Sequence, residues 1–434
     1  MPMSYRQSVD FLYGLQKHGI KPGLEAIQRL LDRLECPERR SPSLHIGGTN
    51  GKGSAAAMAA CMLQAAGYRV GLYTSPHLVD FRERILVNGG MMTEAHLAAL
   101  TDRVRAVCGT PREPTFFEFT TAMAFQHFAE SGVDVAVIEV GLGGRFDATN
   151  VLAPVATAIT SVGLDHQEHL GTTIGSIAFE KAGIIKPGVP VVVGRVSDEA
   201  ADVITRVARE REAPLRRLPG DFRVEGESSA LFRYEGLKVS YGGLACPLAG
   251  RHQLENAGCA LALLESASER GLPVSEEAMR TGLRAVRWGG RLETVDTHPH
   301  MVLDGAHNPD AAAAVADYVR EIRRSRLGSR VVLVLGIMRD KDREGILDHL
   351  FPLVDEVIVT QARGPRATPA EDLAASVTAR GRTVHVRPDP ADAMTLARRM
   401  AAPDDLILLT GSLLLVGEAK AILLGREPSP LGLR

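Results

Sequence analysis

A glycine-rich segment at residues 45–57 has the residue types of a phosphate-binding loop. It reads HIGGTNGKGSAAA and sets Lys52 and Ser54 among four glycines. Backbone N–H groups of such a loop can surround a phosphate, a lysine can reach its terminal oxygens, and a hydroxyl can assist a bound metal ion. The usual loop has four residues between its glycines and Lys directly before Ser or Thr. Here the gap is one residue shorter and Gly53 follows Lys52, so the spacing alone leaves a capped glycine turn as an alternative.

Two charged residues further along have positions that suit the same chemistry. Glu139 ends an apolar run, and parallel sheets bind ligands at the carboxyl ends of their strands. A carboxylate there could hold the divalent cation that a nucleoside triphosphate needs; an exposed strand-end charge is the alternative. Lys181 shares a helical stripe with Ile177 and Ala178, which predicts that it points inward. Its ammonium group then needs a partner, and water or Glu180 is the ordinary choice.

The elements that must hold these residues alternate between strand and helix. Apolar runs rich in β-branched residues predict strands at 133–140, 155–162 and 189–194. The segment SLHI predicts a short strand before the glycine-rich loop, and the alanine-rich stretch after the loop predicts a helix that ends at Gly67. This order of elements is typical of a parallel α/β sheet.

The pattern changes twice towards the C-terminus. Short alternating runs broken by glycine predict a small β-meander at 222–241, followed by helices at 253–270 and 275–286. Paired glycines then interrupt the helical pattern, and we place a domain boundary there, between residues 1–290 and 291–434. Beyond it, apolar runs alternate with helical stretches, as in a smaller doubly wound sheet.

Composition narrows the function classes. The 434 residues carry a formal net charge of −2, so a broad nucleic-acid-binding face is not expected. The five cysteines are scattered without C-x-x-C spacing, which argues against a zinc knot or a disulfide framework. No apolar run reaches the roughly 18 residues that span a bilayer, and the polar N-terminus is not a secretory signal. We therefore expect a cytoplasmic protein without a nucleic-acid or membrane partner. We also expect a monomer, because two domains of one chain that close on each other need no second copy.

The shortened glycine-rich loop resembles the ATP loop of the Mur ligase superfamily. Further motifs make the chain similar to the folylpolyglutamate synthase and dihydrofolate synthase family, and to its bifunctional bacterial type in particular. These motifs follow in order along both predicted domains: YTSPHL (73–78), FRERI (81–85), EVGLGGRFDATN (139–150), GLDHQEHLG (163–171), EKAGIIK (180–186), GRHQLENA (250–257), GRLE (290–293) and DGAHNP (304–309).

The resemblance implies a fold and an activity. The fold would be α/β, with an N-terminal, mostly parallel, P-loop ATPase-like sheet flanked by helices and a smaller C-terminal Rossmann-like domain. The activity would be that of an ATP-dependent acid–amino-acid ligase that adds L-glutamate to dihydropteroate, and also to reduced folates, through an acyl phosphate. ATP and Mg²⁺ would be required, and Mn²⁺ would substitute because histidine is an unusual ligand for magnesium. Closure of the two domains would exclude water from the activated intermediate.

The resemblance also implies roles for individual residues. It implies metal ligation by Ser75, Glu139 and His166, and carbamylation of Lys181 by CO2 into an oxygen ligand. The residues implied to bind ATP are Gly48, Thr49, Asn50, Gly51, Lys52, Gly53, Ser54, His252, Asn256, Arg291 and Asp304. The residues implied to act in catalysis are Lys52, Lys181, Arg291 and His307.

On the acceptor side, the resemblance implies that Phe117 packs against the pterin and that Asp147 bonds the pterin amino edge. Arg82 would bind the acceptor carboxylate, and Ser412 would contact the incoming glutamate. Phe117 could instead fill a helix face with other phenylalanines, which leaves a core role open. Gly289 stands where the family more often has proline, which is expected to loosen the hinge between the domains.

Alternative functions agree less well with the motifs. A dinucleotide-binding loop is disfavoured because Phe146 occupies the third glycine position of EVGLGGRF and no helix-length segment follows. A non-catalytic nucleotide-binding relative would have lost catalytic positions that this chain retains. A Mur ligase acting on a cell-wall precursor would lack YTSPHL together with FRERI. A monofunctional folylpolyglutamate synthase stays open.

Overall fold

Two sheets and their flanking helices account for most of the residues in the computed structural model, which describes residues 2–19, 23–109, 114–325 and 328–427. The strands are β1 Ser43–Gly47, β2 Val70–Tyr73, β3 Ile85–Val87, β4 Gly90–Met91, β5 Val135–Glu139, β6 Ala156–Ile159, β7 Val191–Val193, β8 Leu215–Arg217, β9 Arg223–Ser228, β10 Leu231–Glu235, β11 Ser240–Leu244, β12 Glu293–Thr297, β13 His300–Leu303, β14 Val331–Leu335, β15 Glu356–Val359, β16 Val384–Val386 and β17 Leu406–Thr410.

The helices connect these strands and cover the sheets. They are α1 Tyr5–Gly14, α2 Glu25–Arg33, α3 Lys52–Ala65, α4 Glu94–Val107, α5 Phe116–Ser131, α6 Gln167–Leu170, α7 Ile174–Ala182, α8 Asp198–Glu210, α9 His252–Ser268, α10 Glu276–Ala285, α11 Pro309–Ser325, α12 Arg343–Leu350, α13 Ala370–Ala379, α14 Pro390–Met400 and α15 Leu413–Leu423. Among the residues described, no helix is both long and apolar enough to cross a membrane.

The first sheet has the strand order β4-β3-β2-β5-β1-β6-β7-β8. Strands β2, β5, β1, β6, β7 and β8 run parallel, whereas β3 and β4 form an antiparallel edge. The central strands β1 and β5 are buried along their whole length, as expected for parallel strands covered on both faces. The carboxyl ends of β2, β5, β1 and β6 therefore lie side by side, and their loops meet at one edge.

Helix α3 follows the glycine-rich loop and is buried on nearly all sides, since it lies between the sheet and helices α9 and α10. Its run of alanines permits this close packing. The crossing with α10 is tight enough that a Cβ atom at Gly282 would lie 2.3 Å from the Cα atom of Met62. The position of the loop is thus fixed by an apolar helix that cannot shift without disturbing the core.

The second sheet has the order β12-β13-β17-β14-β15-β16, with every pair parallel except β12 and β13. Between α10 and β12, the backbone N–H of Gly290 donates to Glu293 Oε2 at 2.7 Å, and Lys420 Nζ pairs with Glu293 Oε1 at 2.7 Å. These bonds join the linker to α15 of the second domain. The effect of Gly289 on hinge flexibility stays a prediction.

The predicted fold class is confirmed: two α/β domains, a mostly parallel N-terminal sheet, and a β-meander formed by β9, β10 and β11. The predicted strands appear as β5, β6 and β7, each shorter than the apolar run that indicated it. Strand β12 has no clear sequence signal, because four of its five residues ETVDT are polar and the strand is partly exposed at a sheet edge. The paired glycines before it predict only an interruption of the helical pattern.

Candidate active site

A cavity of about 1070 Å³ lies where the two domains meet. Its walls are the loops after β1, β2, β5 and β6 of the first domain and the loops after β13, β14 and β17 of the second. These are the carboxyl ends of parallel strands, where open α/β sheets bind ligands. Pockets for one small molecule measure roughly 300–1000 Å³, so this cavity is as large as the largest of them.

The glycine-rich loop is held against its neighbours so closely that side chains are excluded. Gly48 has φ of 144° and Gly51 has φ of 84°, both in the region that favours glycine. A Cβ atom would lie 2.1 Å from Thr160 Oγ1 at Gly48, and 2.1 Å from Asn256 Oδ1 at Gly51. The glycines at these two positions are therefore required by close approach and by their backbone conformation, and the binding of phosphate by the loop stays a prediction.

The loop's backbone donors divide into two groups. Thr49 N donates to Ser161 O at 2.9 Å, and Asn50 N donates to Ser161 Oγ at 2.9 Å, so these two groups hold the loop to the segment after β6. The first N–H groups of α3 have no acceptor within the helix, as at any helix start. They face the cavity at Lys52, Gly53 and Ser54, where the helix dipole also favours an anion.

Two lysines converge on the same loop carbonyl. Lys52 Nζ donates to Gly48 O and Thr49 O at 3.1 Å each, and Lys181 Nζ donates to Gly48 O at 2.9 Å. Lys181 is only 3% exposed, so the predicted inward orientation is confirmed. Its burial, and next the charge of Lys52, lower the pKa of Lys181 to about 7. The Lys181 amine can therefore be neutral near physiological pH, which an ordinary lysine cannot.

The expected metal ligands come from three loops of the first domain. Glu139 ends β5 and is buried, and its Oε2 accepts from Ser75 N at 3.0 Å. Burial raises the pKa of Glu139 against the opposing charge of Lys52. His166 lines the same cavity, and burial lowers its pKa to about 4, which leaves a neutral ring with a free lone pair. Glu139 is a buried carboxylate without an ion-pair partner among the described residues, and together with the neutral ring of His166 in the same cavity it offers donor types that a divalent cation can use. No cluster of three or more His, Cys, Asp or Glu side chains that could hold a metal ion occurs in the part of the chain that the structure describes, so phosphate oxygens and water would have to complete the ligand set.

Asp165 joins the two domains across the cavity. Its carboxylate belongs to the loop after β6, and it accepts from Lys341 Nζ at 2.6 Å and Asn308 Nδ2 at 3.2 Å. His307 Nε2 lies 3.3 Å from the same carboxylate. Burial alone would raise the pKa of Asp165, but the hydrogen bond with His307 and the nearby positive charges lower it well below its usual range. Asn50 and Asn308 add a reciprocal amide pair at 3.1 and 3.2 Å.

The residues expected near the nucleotide from the second domain and α9 also line the cavity. Asp304 accepts from Leu292 N and Ala306 N at 2.8 Å each, so it shapes the turn after β13. Arg291 Nη1 donates to Gly290 O at 3.0 Å and borders the cavity. His252 faces the cavity with Nδ1 buried and without a hydrogen-bond partner in the described chain.

The acceptor side of the cavity contains Phe117 and Asp147. The Phe117 ring is half-buried beside Gly141, while other phenylalanines of α5 fill the core. Asp147 caps the turn that follows, accepting from Leu142 N at 2.8 Å, from Thr149 N at 3.0 Å and from the Thr149 hydroxyl. Its oxygens are thus engaged within their own loop. A role of Asp147 in pterin binding stays a prediction.

Two further expected residues differ in their placement. Ser412 lines the cavity as the N-cap of α15, and its Oγ accepts from Leu414 N at 3.1 Å. Arg82 is not among the residues that line the cavity, because Nε and Nη2 of its guanidinium bind Asp80 at 3.0 and 2.7 Å. Arg84, two residues later in the same motif, does line it. The structure therefore brings together every predicted site residue except Arg82.

Sequence reasoning missed Arg84, Asp165, Lys341 and Asn308. Arg84, Asp165 and Asn308 lie inside the motifs that carry the resemblance, so their signal was present but unused. Strand periodicity could not separate Arg82 from Arg84, because it places both on one face. The segment Phe81–Arg84 is instead a 3₁₀ turn with a capping box at Asp80 and Glu83, and three residues per turn direct the two arginines differently.

Comparison with known proteins supports this picture. The model described as "Mur ligase middle domain" matches residues 46–264, and "Mur ligase, glutamate ligase domain" matches residues 290–413. Dihydrofolate synthase/folylpolyglutamate synthase of Bacillus subtilis is 36% identical over 430 residues, covering 96% of this chain and 98% of that protein. The protein of the same name from Mycobacterium tuberculosis is 37% identical, covering 94% and 91%.

Solved structures extend the likeness to three dimensions. E. coli FolC in complex with DHPP and ADP aligns with a TM-score of 0.89 at 32% identity and covers 98% of both chains. Bifunctional folylpolyglutamate synthase/dihydrofolate synthase from Yersinia pestis, complexed with AMPPNP and Mn ion, aligns with a TM-score of 0.87 at 33% identity and covers 97% of this chain and 98% of that one.

Proposed function

The chain belongs to the folylpolyglutamate synthase/dihydrofolate synthase family of Mur ligases, and from this premise we propose that it adds L-glutamate to dihydropteroate and to reduced folates. It is an ATP-dependent acid–amino-acid ligase. The observation that carries the substrate proposal is the convergence in one cavity of a phosphate loop, a buried carboxylate and the aromatic wall at Phe117. The relatives' ADP, DHPP, AMPPNP and Mn ligands support it.

The phosphate loop would hold the ATP triphosphate at the start of α3. The N–H groups of Lys52, Gly53 and Ser54 would bind phosphate oxygens, and the Lys52 ammonium would move from the loop carbonyls to the γ-phosphate. Glu139, Ser75 and His166 would hold Mg²⁺ or Mn²⁺, with phosphate oxygens and water as further ligands. When bound, the metal ion offsets the negative charge of the transferred phosphoryl group.

Two transfers then follow. An oxygen of the acceptor carboxylate attacks the γ-phosphorus, ADP leaves, and an acyl phosphate forms. The α-amine of glutamate attacks the acyl carbon, phosphate leaves with the C–O electron pair, and the amine loses a proton to give the amide. Lys52 and Arg291 would stabilise the developing negative charge, and the contacts of Asp165 with the second domain would keep water out. Positioning and charge carry this chemistry, without a nucleophilic side chain.

Lys181 has the properties that carbamate formation requires. A neutral amine attacks CO2 and releases a proton, and the lowered pKa of Lys181 supplies that neutral form near pH 7. We propose that the resulting carbamate replaces a buried cation with an anionic oxygen ligand in the cavity that Glu139 also lines. Protein in ¹³CO2 should give a carbamate carbon resonance that is absent from a Lys181→Met variant. An identical resonance in that variant would place the modification elsewhere.

The test of the proposed function is glutamate-dependent phosphate release with ATP and Mg²⁺, using 7,8-dihydropteroate or tetrahydrofolate as acceptor, with product masses measured. Turnover of both acceptors is the expected result. Turnover of tetrahydrofolate alone would indicate a monofunctional folylpolyglutamate synthase. Absence of turnover in folded protein that binds ATP would indicate a non-catalytic relative. We propose a monomer, because both walls of the cavity come from one chain, and the cytoplasm as its compartment.

A further inference from the structure

Arg84 is a buried cation without an ion-pair partner among the residues that the structure describes. Its residue is 6% exposed, and its guanidinium carbon lies 5.3 Å from the centre of the Phe116 ring and 5.8 Å from that of Phe81. Nε donates to His77 Nδ1 at 2.8 Å, so the His77 ring is neutral and fixed in one tautomer. Rings and imidazole thus hold the guanidinium plane in one orientation.

The terminal nitrogens of Arg84 have no carboxylate within ion-pair distance among the described residues. The neighbouring Glu83 carboxylate does not supply one, because it accepts from the backbone N–H groups of Leu78, Val79 and Asp80. Arg84 instead borders the cavity. A buried guanidinium that faces a cavity without a counter-ion is costly unless a ligand anion completes it.

The position of Arg84 indicates which anion this is. Thr74 N donates to Arg84 O at 3.0 Å, and the next residue, Ser75, donates its N–H to Glu139 Oε2 at 3.0 Å, so Arg84 lies beside the region where the γ-phosphate and the metal ion would meet. It also adjoins Phe116, next to the Phe117 ring of the acceptor wall. The acceptor has one group that would lie between the Phe117 side of the cavity and the γ-phosphate, namely the carboxylate that is phosphorylated.

We propose that Arg84 binds the reacting carboxylate of the acceptor through its terminal nitrogens and aims one oxygen at the γ-phosphate, with His77 as its positioning residue. This inference rests on the ligase function proposed above. Arg84 takes the role that the sequence had suggested for Arg82, whose charge is already matched by Asp80 outside the cavity. A planar guanidinium suits bidentate binding of a carboxylate.

The test measures binding of 7,8-dihydropteroate and of its uncharged methyl ester, by calorimetry in the presence of ADP and Mg²⁺. Wild-type protein should bind the acid about 10- to 100-fold more tightly than the ester, the usual range for a hydrogen bond between charged groups. Arg84→Met should lose most of this preference while its affinity for ADP stays unchanged. Arg82→Met should keep the preference, and Arg84→Lys should retain part of it.

The outcomes separate this inference from the function on which it rests. The inference would be overturned if Arg84→Met preferred the acid over the ester as strongly as wild type does. It would also be overturned if only Arg82→Met lost this preference. Equal binding of acid and ester by wild type would also overturn it. If wild type binds neither compound but binds ADP, the proposed acceptor is wrong. Should Arg84→Met fail to fold, Arg84→Gln and Arg84→Lys provide the same comparison.

Discussion

Replacing Lys181 with methionine should stabilise the protein while abolishing its activity. The folded chain holds this amine at 3% exposure with a pKa lowered to about 7 from 10.5, chiefly by burial. Between these values the unfolded chain binds more protons than the folded chain, so stability rises with pH. Below pH 7 the buried ammonium costs about 5 kcal/mol at most, because each pKa unit is worth about 1.4 kcal/mol. Methionine has a similar length and removes this cost.

The assay is urea unfolding of metal-free, CO2-free protein at pH 7 and pH 9. From pH 7 to 9 the cost of the buried ammonium falls by about 2 kcal/mol, so the stability advantage of Lys181→Met over wild type should shrink by that amount. The difference between the two proteins cancels the titration of other groups. Lys17→Met, at an exposed lysine, should show no such change. A variant less stable than wild type at pH 7, or a difference that does not vary with pH, would refute the reasoning.

Three further changes test other parts of the site and the fold. Lys52→Ala should lower ATP-dependent turnover at least about 100-fold with an unchanged circular dichroism spectrum, whereas wild-type rates would remove the phosphate-loop assignment. Lys341→Met leaves Asp165 without its closest partner, so kcat should fall about tenfold or more while the KM for the acceptor changes little; an unchanged kcat would show that this contact does not govern closure. The side chain of Gly282→Val would collide with the backbone of α3, so the melting temperature of this variant should fall by many degrees. Gly242→Ala, at a glycine in open space, should keep the melting temperature of wild type. Equal melting temperatures for the two variants would contradict the packing described.

The sequence predicted those features of the fold that depend on interactions between residues close together in the chain. The glycines at the phosphate loop, the alanine-rich α3 and the inward Lys181 each follow from conformational freedom or helical periodicity within a few residues. The strands β5, β6 and β7 were predicted because buried parallel strands are continuous apolar runs. The polar edge strand β12 lacks that signal and was missed.

Long-range contacts were beyond such reasoning. Asp165 and Lys341 are 176 positions apart, and only the docking of two domains makes them an ion pair. The choice between Arg82 and Arg84 depends on a 3₁₀ turn of four residues. The capping box of this turn could have been recognised in the sequence. The direction in which each arginine side chain points depends on how the turn packs against β2 and α5. The sequence therefore predicted the chemistry of the site more completely than its geometry.

The most direct test of the ligase mechanism uses dihydropteroate labelled with ¹⁸O in its carboxylate, together with ATP, Mg²⁺ and L-glutamate. Mass spectrometry then measures the label in the released phosphate and in the product. An acyl phosphate predicts one ¹⁸O atom in each phosphate, the other in the new amide carbonyl, and no phosphate release above background without the acceptor. Unlabelled phosphate, or phosphate release without amide formation, would contradict the proposed ligation.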